Sequence, residues 1–245
     1  MEYLLYFSLT LVFSTLFAMG GVGSAIALVP LFSLMGLPLN LAKAIGLFIN
    51  TTSTVTGSLL NFLRGTLDFK FALPLVISIL IATPIGAYSS QYVPEVWVRW
   101  ILVIFLIISA TLLIFNKREA KAAYDKAWIL YVIGGTIGLF SGLLGVGGGA
   151  LMMPLLILLG FDAKKAAIAV SFVIPFSSLG AFFTYLQFTE MNWTLLGVVT
   201  VAALLGGILG NRLMQYKLTA AQIKKLIAVI LYLLAIKLTL PLIHL

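Results

Sequence analysis

The residues in this chain best suited to chemistry are glycines. Gly145-Val146-Gly147-Gly148-Gly149 precedes Ala150-Leu151-Met152-Met153-Pro154, and a looser copy, Gly20-Gly21-Val22-Gly23-Ser24, precedes Ala25-Ile26-Ala27-Leu28-Val29-Pro30. Glycine adopts backbone conformations closed to other residues and destabilises a continuous helix. Each run therefore predicts a break at which a new helix begins. A helix start presents unpaired N–H groups and partial positive charge, a ready site for an anion. The competing use of small residues is close packing of helices; four glycines within five residues, with a looser copy and a short helix beside each, favour the site. A nucleotide loop is excluded, because no βαβ pattern surrounds the run and no Gly-Lys-Ser/Thr follows it.

A second polar concentration lies between the glycine runs and after the second. Asn50, Thr51, Thr52, Ser53 and Thr54 are followed by Thr56, Ser58 and Asn61, and the counterpart is Ser171, Pro175, Ser177 and Ser178. Such hydroxyls and amides can bond neighbouring helices or their own i−4 carbonyls. Their clustering, with the helix-loosening Pro175, predicts a shared polar cavity near the membrane midplane. The candidate substrate-binding set is thus Gly21, Gly23, Ser24, Asn50, Thr51, Thr52, Ser53, Gly145, Gly147, Gly148, Gly149, Ser171, Pro175, Ser177 and Ser178.

The nature of the guest follows from the acids. Glu2, Asp68, Glu95, Glu119, Asp125, Asp162 and Glu190 all fall at a terminus, loop or predicted helix end. The spans then lack the buried carboxylates that proton- or sodium-driven pumps use as relay or ligand. With no cysteine and a single histidine, His244, at the end of the chain, no catalytic set, metal site or cofactor is expected. A small anion is the expected substrate. Lys43, Arg64 and Lys237 could steer it, but they lie near predicted membrane surfaces, where snorkelling to headgroups is the default.

The elements that carry these residues are apolar helices. Of 245 residues, 62% are hydrophobic and 9% charged, against roughly 25% charged in a soluble domain. Apolar runs reach the ~20 residues that a membrane span needs. The run at 3–19 could serve as a signal peptide, but it lacks a basic flank and has a later counterpart, so it is read as retained structure. A net charge of +8 is read as cytoplasmic loops rather than as nucleic-acid binding.

The chain is one unit written twice. Pro30 and Pro154 lie 154 − 30 = 124 residues apart, and the same offset pairs Gly21 with Gly145, Gly23 with Gly147, Ser53 with Ser177, Gly86 with Gly210 and Tyr92 with Tyr216. The predicted organisation is a first transmembrane repeat over 1–115, a charged linker over 116–127 and a second repeat over 128–245. Helices are predicted at 3–19, 24–35, 39–63, 69–91 and 95–115, and again at 128–144, 149–160, 163–187, 192–214 and 219–241. The second of each five is too short to cross ~30 Å of hydrocarbon. With its predecessor it forms a re-entrant or broken helical hairpin, followed by three transmembrane helices.

Basic residues orient the halves. With a cytoplasmic linker and an odd number of crossings per half, the inside set is Arg64, Lys70, Lys117, Arg118, Lys121, Lys126, Lys164, Lys165, Arg212, Lys217, Lys224 and Lys225, and the outside set Lys43, Arg99 and Lys237. Twelve against three favours inverted topology with both termini extracytoplasmic.

These features resemble the TauE/SafE family, the sulfite exporter and toluene-sulfonate-uptake permease group. The resemblance rests on the glycine run ending in Pro154 and its copy ending in Pro30. It rests also on Arg64-Gly65-Thr66-Leu67-Asp68-Phe69, on Glu190-Met191-Asn192-Trp193, and on the two-half plan. It implies secondary transport of small sulfur-containing anions such as sulfite or sulfonates across the cytoplasmic membrane. Ser24 and Ala25 stand where the family often has glycine. The expectation is an all-α polytopic membrane protein with two inverted repeats, a non-enzymatic carrier of an anion within a lipid bilayer. The alternatives are an anion channel on the same scaffold or a non-transporting assembly or sensor subunit.

Overall fold

Long apolar runs form helices here because, in lipid, a helix satisfies every backbone group within its own segment. The computed structural model describes residues 2–20, 23–63, 67–115, 127–159, 161, 163–213 and 220–243. Among them are ten α-helices and no strand: α1 Glu2–Gly20, α2 Ala25–Leu34, α3 Leu39–Leu63, α4 Phe69–Ser89 and α5 Glu95–Phe115, then α6 Ala127–Leu144, α7 Gly149–Leu158, α8 Ala163–Tyr185, α9 Trp193–Leu213 and α10 Ala220–Ile243. Each agrees with its sequence expectation to within a few residues. The chain is an all-helical, multi-pass membrane protein. Six helices (α1, α4, α5, α8, α9 and α10) are long and apolar enough to cross a membrane. Large apolar side chains such as Leu4, Ile81, Ile104, Phe183 and Ile236 are exposed, which suits a surface facing lipid.

Two departures from simple spans matter. The ten-residue helices α2 and α7 are each ~15 Å long at 1.5 Å per residue, half a hydrocarbon core. Helix α3, with 25 residues, has the length to cross, but its polar run keeps it out of the apolar set. It sits centrally instead, packed by α2, α8 and α9.

The packing repeats. Helix α1 packs mainly on α9 and α6 on α4; α3 meets α9 as α8 meets α4; α2 touches α10 as α7 touches α5; and α3 pairs with α8, α5 with α10. Exchanging the first five helices for the last five leaves this pattern unchanged. The correspondence extends to single residues. A Cβ on Gly86 would strike Leu139 O at 2.0 Å, and one on Gly210 would strike Thr15 O at 2.5 Å; both members of these pairs are 124 apart.

Along the α3/α8 seam, Lys43 meets Tyr185, Phe48 meets Phe182, Asn50 meets Ser178 and Ser58 meets Ser171. As one number rises the other falls, so the two helices run antiparallel. The seam is centred between Thr52/Ser53 and Phe176/Ser177, which are themselves 124 apart. The similar dipeptides Asp68-Phe69 and Asn192-Trp193 prove to be matching helix starts. Asp68 accepts from Phe71 N at 3.3 Å, and Asn192 accepts from Leu195 N at 3.0 Å, the favoured acceptor types at an N-cap.

Candidate functional site

The two glycine breaks converge on one side chain. Gly23 has φ +81° and Gly147 φ +68°, conformations that L residues rarely adopt. A Cβ at Gly23 would lie 2.3 Å from Asn50 Oδ1, and one at Gly147 would lie 2.4 Å from Asn50 Nδ2. Gly23 and Gly147 are 124 apart, so Asn50 is pressed from both sides by equivalent turns. Its own counterpart is Ile174, and the polar group at this centre has no symmetry mate.

Asn50 is 1% exposed, and both ends of its amide are bonded. Oδ1 accepts from Ala25 N, the first residue of α2, at 3.3 Å. Nδ2 donates to Ser178 Oγ at 2.8 Å. The partners set the orientation, because a backbone N–H needs an acceptor. Asn50 thus occupies the place an anion would take at the start of α2, and it ties that start to α8. Ser178 and Ser177 are fully buried, and Ser177 Oγ lies 3.4 Å from Thr83 Oγ1. Ser14 Oγ donates to Ser24 Oγ at 3.3 Å. Ser24 itself precedes α2 without making a side-chain cap.

Other predicted residues face elsewhere. Thr51 donates to Leu47 O at 3.1 Å, Thr52 to Ile49 O at 2.9 Å, Ser53 to Asn50 O at 3.2 Å and Ser171 to Ile168 O at 2.8 Å. These are bonds to the residue's own helix, the ordinary way to bury a hydroxyl. Gly148 is a packing position, where a Cβ would crowd Ile137 and Ile79. Gly149 opens α7. Gly21 lies outside the described residues. Pro175 is buried and, with Val55, Ser58, Leu59, Phe62, Phe172 and Phe176, lines an apolar recess of about 300 Å³ between α3 and α8. That recess lies at the opposite end of the seam from Lys43.

Lys43 is the correction. Its position near the start of a predicted span suggested a side chain reaching for headgroups. It is instead 1% exposed, because it faces the same side of α3 as Asn50, two helical turns away. There its stem crosses Gly145, whose φ is +70°, and a Cβ on that glycine would lie 2.4 Å from Lys43 Cβ and Cγ. Lys43 Nζ donates to Ser90 Oγ at 3.1 Å and sits 5.4 Å from the centre of the Tyr185 ring. Tyr185 OH in turn donates to Gly142 O at 2.9 Å and Leu143 O at 3.1 Å, two carbonyls in the last turn of α6, where intrahelical donors run out. The seven-residue spacing of Lys43 and Asn50 was the available signal; Ser90 and Tyr185 had none.

Residues 6–238 match the family described as Sulfite exporter TauE/SafE. The chain belongs to the TauE/SafE family. It is a membrane transporter, of a family that is not one of enzymes. Among its relatives, "Probable membrane transporter protein YunE" of Bacillus subtilis is 26% identical over 94% of this chain and 96% of its own length. A probable membrane transporter protein of a Sinorhizobium species is 27% identical over 88% of the chain and 84% of its own. One from Methanocaldococcus jannaschii is 24% identical over 68% and 66%. No solved structure matches the chain. Within this TauE/SafE protein, the Asn50 centre is the best-defined polar site among the described residues.

Proposed function

We propose that this TauE/SafE protein is a secondary carrier of small sulfur-containing oxyanions, of sulfite or sulfonate type, working by alternating access in the cytoplasmic membrane. The observation that carries the reading is the convergence of two equivalent glycine turns on Asn50. Inverted-repeat transporters place substrates where broken helices meet near the midplane, with helix starts toward anionic groups. In the conformation described, Asn50 Oδ1 holds the α2 start and its amide holds Ser178. In the proposed cycle, the anion's oxygens replace Oδ1 at the α2 N–H groups and accept from Asn50 Nδ2 and the Ser177 and Ser178 hydroxyls. The glycines keep the turns free of side chains at that point.

Each half forms one repeat, and the two are inverted in the bilayer. Helices α3 and α8 are equivalent by the 124-residue offset yet pack antiparallel. A two-fold axis that reverses a helix lies perpendicular to it, hence in the membrane plane. The charge bias supports cytoplasmic 116–126 and extracytoplasmic termini, and removing buried Lys43 from the outer set sharpens that bias.

The test is flux of radiolabelled sulfite and methanesulfonate into proteoliposomes. Saturable, protein-dependent uptake that accelerates when unlabelled substrate is loaded inside is expected. No such uptake of any anion in a panel of sulfite, sulfonates, sulfate and carboxylates sinks the reading. Saturable uptake without acceleration points to a pore.

A further inference from the structure

We propose that Lys43 is the counter-charge for the carrier's substrate, forming a one-cation station on the path to Asn50, which therefore selects monoanionic oxyanions such as sulfonates. This rests on the carrier reading above and names its substrate charge.

The argument starts from burial. A full positive charge removed from water needs an opposite charge close by, and ionisable groups inside membrane proteins mark substrate or ion paths. Lys43 is buried, yet among the described residues no carboxylate lies within ion-pair distance of it. The Glu95 carboxylate is bound to Arg99. What Lys43 has is a neutral hydroxyl, Ser90 Oγ, the Tyr185 ring and the carbonyl end of α6 under its stem. A ring face and a helix C-terminus supply partial negative charge only. The arrangement solvates an ammonium group and leaves its unit charge without a formal counter-ion.

Position gives that charge a use. Lys43 and Asn50 share one face of α3, about 10 Å apart at 1.5 Å per residue, and the turn from Gly145 to Gly147 runs from one to the other. Lys43 lies against Gly145 and Asn50 against Gly147. An anion moving along this turn passes from the ammonium group to the amide. Among the described side chains the other end of the seam carries no buried cation: the counterpart of Lys43 is Ala167, and the recess there is lined by apolar residues and Ser58. One cation at one end compensates one negative charge, which favours a monoanion over sulfate. An oxyanion also suits the donors, since ammonium and hydroxyl groups donate to its oxygens.

The experiment uses the full chain, purified and also reconstituted, with methanesulfonate, its neutral isostere dimethyl sulfone, and sulfate as probes. Methanesulfonate is expected to raise the melting temperature of the wild type, and dimethyl sulfone and sulfate to leave it unchanged. Lys43→Gln is expected to lose the shift and to raise the KM for methanesulfonate flux about tenfold or more; Lys43→Arg is expected to retain part of both. Lys43→Met is expected to match or exceed the wild-type melting temperature without ligand, since it removes an uncompensated buried charge. A structural brace gives the opposite pattern: Lys43→Met melts lower, while the methanesulfonate shift and KM persist in every folded Lys43 variant. That result overturns the proposal and leaves the carrier reading standing. A sulfate shift equal to that of methanesulfonate overturns the monoanion claim. Absence of any saturable anion flux in the wild type overturns both readings.

Discussion

At the scale of single residues, the centre of this protein is an asparagine held by two glycines. The Gly147 prediction follows from both geometry and conformation. Gly147→Ala forces an L residue to φ +68°, worth roughly 1–2 kcal/mol, and drives its Cβ toward Asn50 Nδ2. Flux is expected to fall strongly in a protein that still folds. Asn50→Ala relieves the collision but not the backbone strain, so Gly147→Ala/Asn50→Ala is expected to lose less stability than the two single changes summed. Thermal unfolding of the four proteins in one detergent measures the coupling; strict additivity would mean that Gly147 and Asn50 do not press on each other. Residue types alone pointed to Asn50, the serines and the glycines together. They did not reveal that Thr51, Thr52 and Ser53 bond back along their own helix, because a hydroxyl's partner depends on its rotamer and on what packs above it.

At the scale of elements, glycine and N-cap positions explain how the helices are seated. Gly210 brings α9 against α1, where a Cβ would lie 2.5 Å from Thr15 O. Gly210→Ala is accordingly expected to cost about 1–3 kcal/mol by overpacking, read as a lower melting temperature. The same change at Gly197, where a Cβ meets nothing within 4 Å, is expected to be near neutral. Equal losses at both sites would show that backbone approach is not what Gly210 provides. Asn192→Ala removes the acceptor for Leu195 N, with an expected loss of about 1 kcal/mol, while Asn192→Asp keeps it. All ten helices were legible in the sequence because apolar length and glycine or polar interruptions are local properties. Helix α3 shows the limit of hydropathy, since its polar run lowers the average while the neighbouring helices and its own carbonyls satisfy those groups.

At the scale of the molecule, the proposed inversion has a clean test, because the chain has no cysteine. Single substitutions Lys121→Cys and Glu190→Cys are expected to label from opposite sides of the membrane with an impermeant maleimide, and Gln91→Cys from the same side as Glu190→Cys. Labelling of Lys121→Cys and Glu190→Cys from one side would reject the inverted arrangement. The same arrangement separates the ends of the α3/α8 seam. In the proposed arrangement Lys43 and Tyr185 close the end assigned to the outside, and the apolar recess falls at the end assigned to the cytoplasm. Lys43 stands ~14 Å from the centre of the seam along α3, which places its charge on the approach to Asn50 rather than beside it.

Read alone, the amino-acid sequence determined the helical class and the positions of the breaks, and it carries the 124-residue offset and the confinement of its acids to termini, loops and helix ends. Those properties depend on composition and spacing along the chain, and a 124-residue echo survives without any knowledge of contacts. Tertiary structure alone decided which polar groups meet. It set α3 antiparallel to α8, brought Gly23 and Gly147 onto opposite sides of Asn50, and turned Lys43 inward against Gly145. A lysine near a helix end has the same local sequence whether it reaches for headgroups or is enclosed. The choice depends on which face of α3 the remote turn after α6 covers.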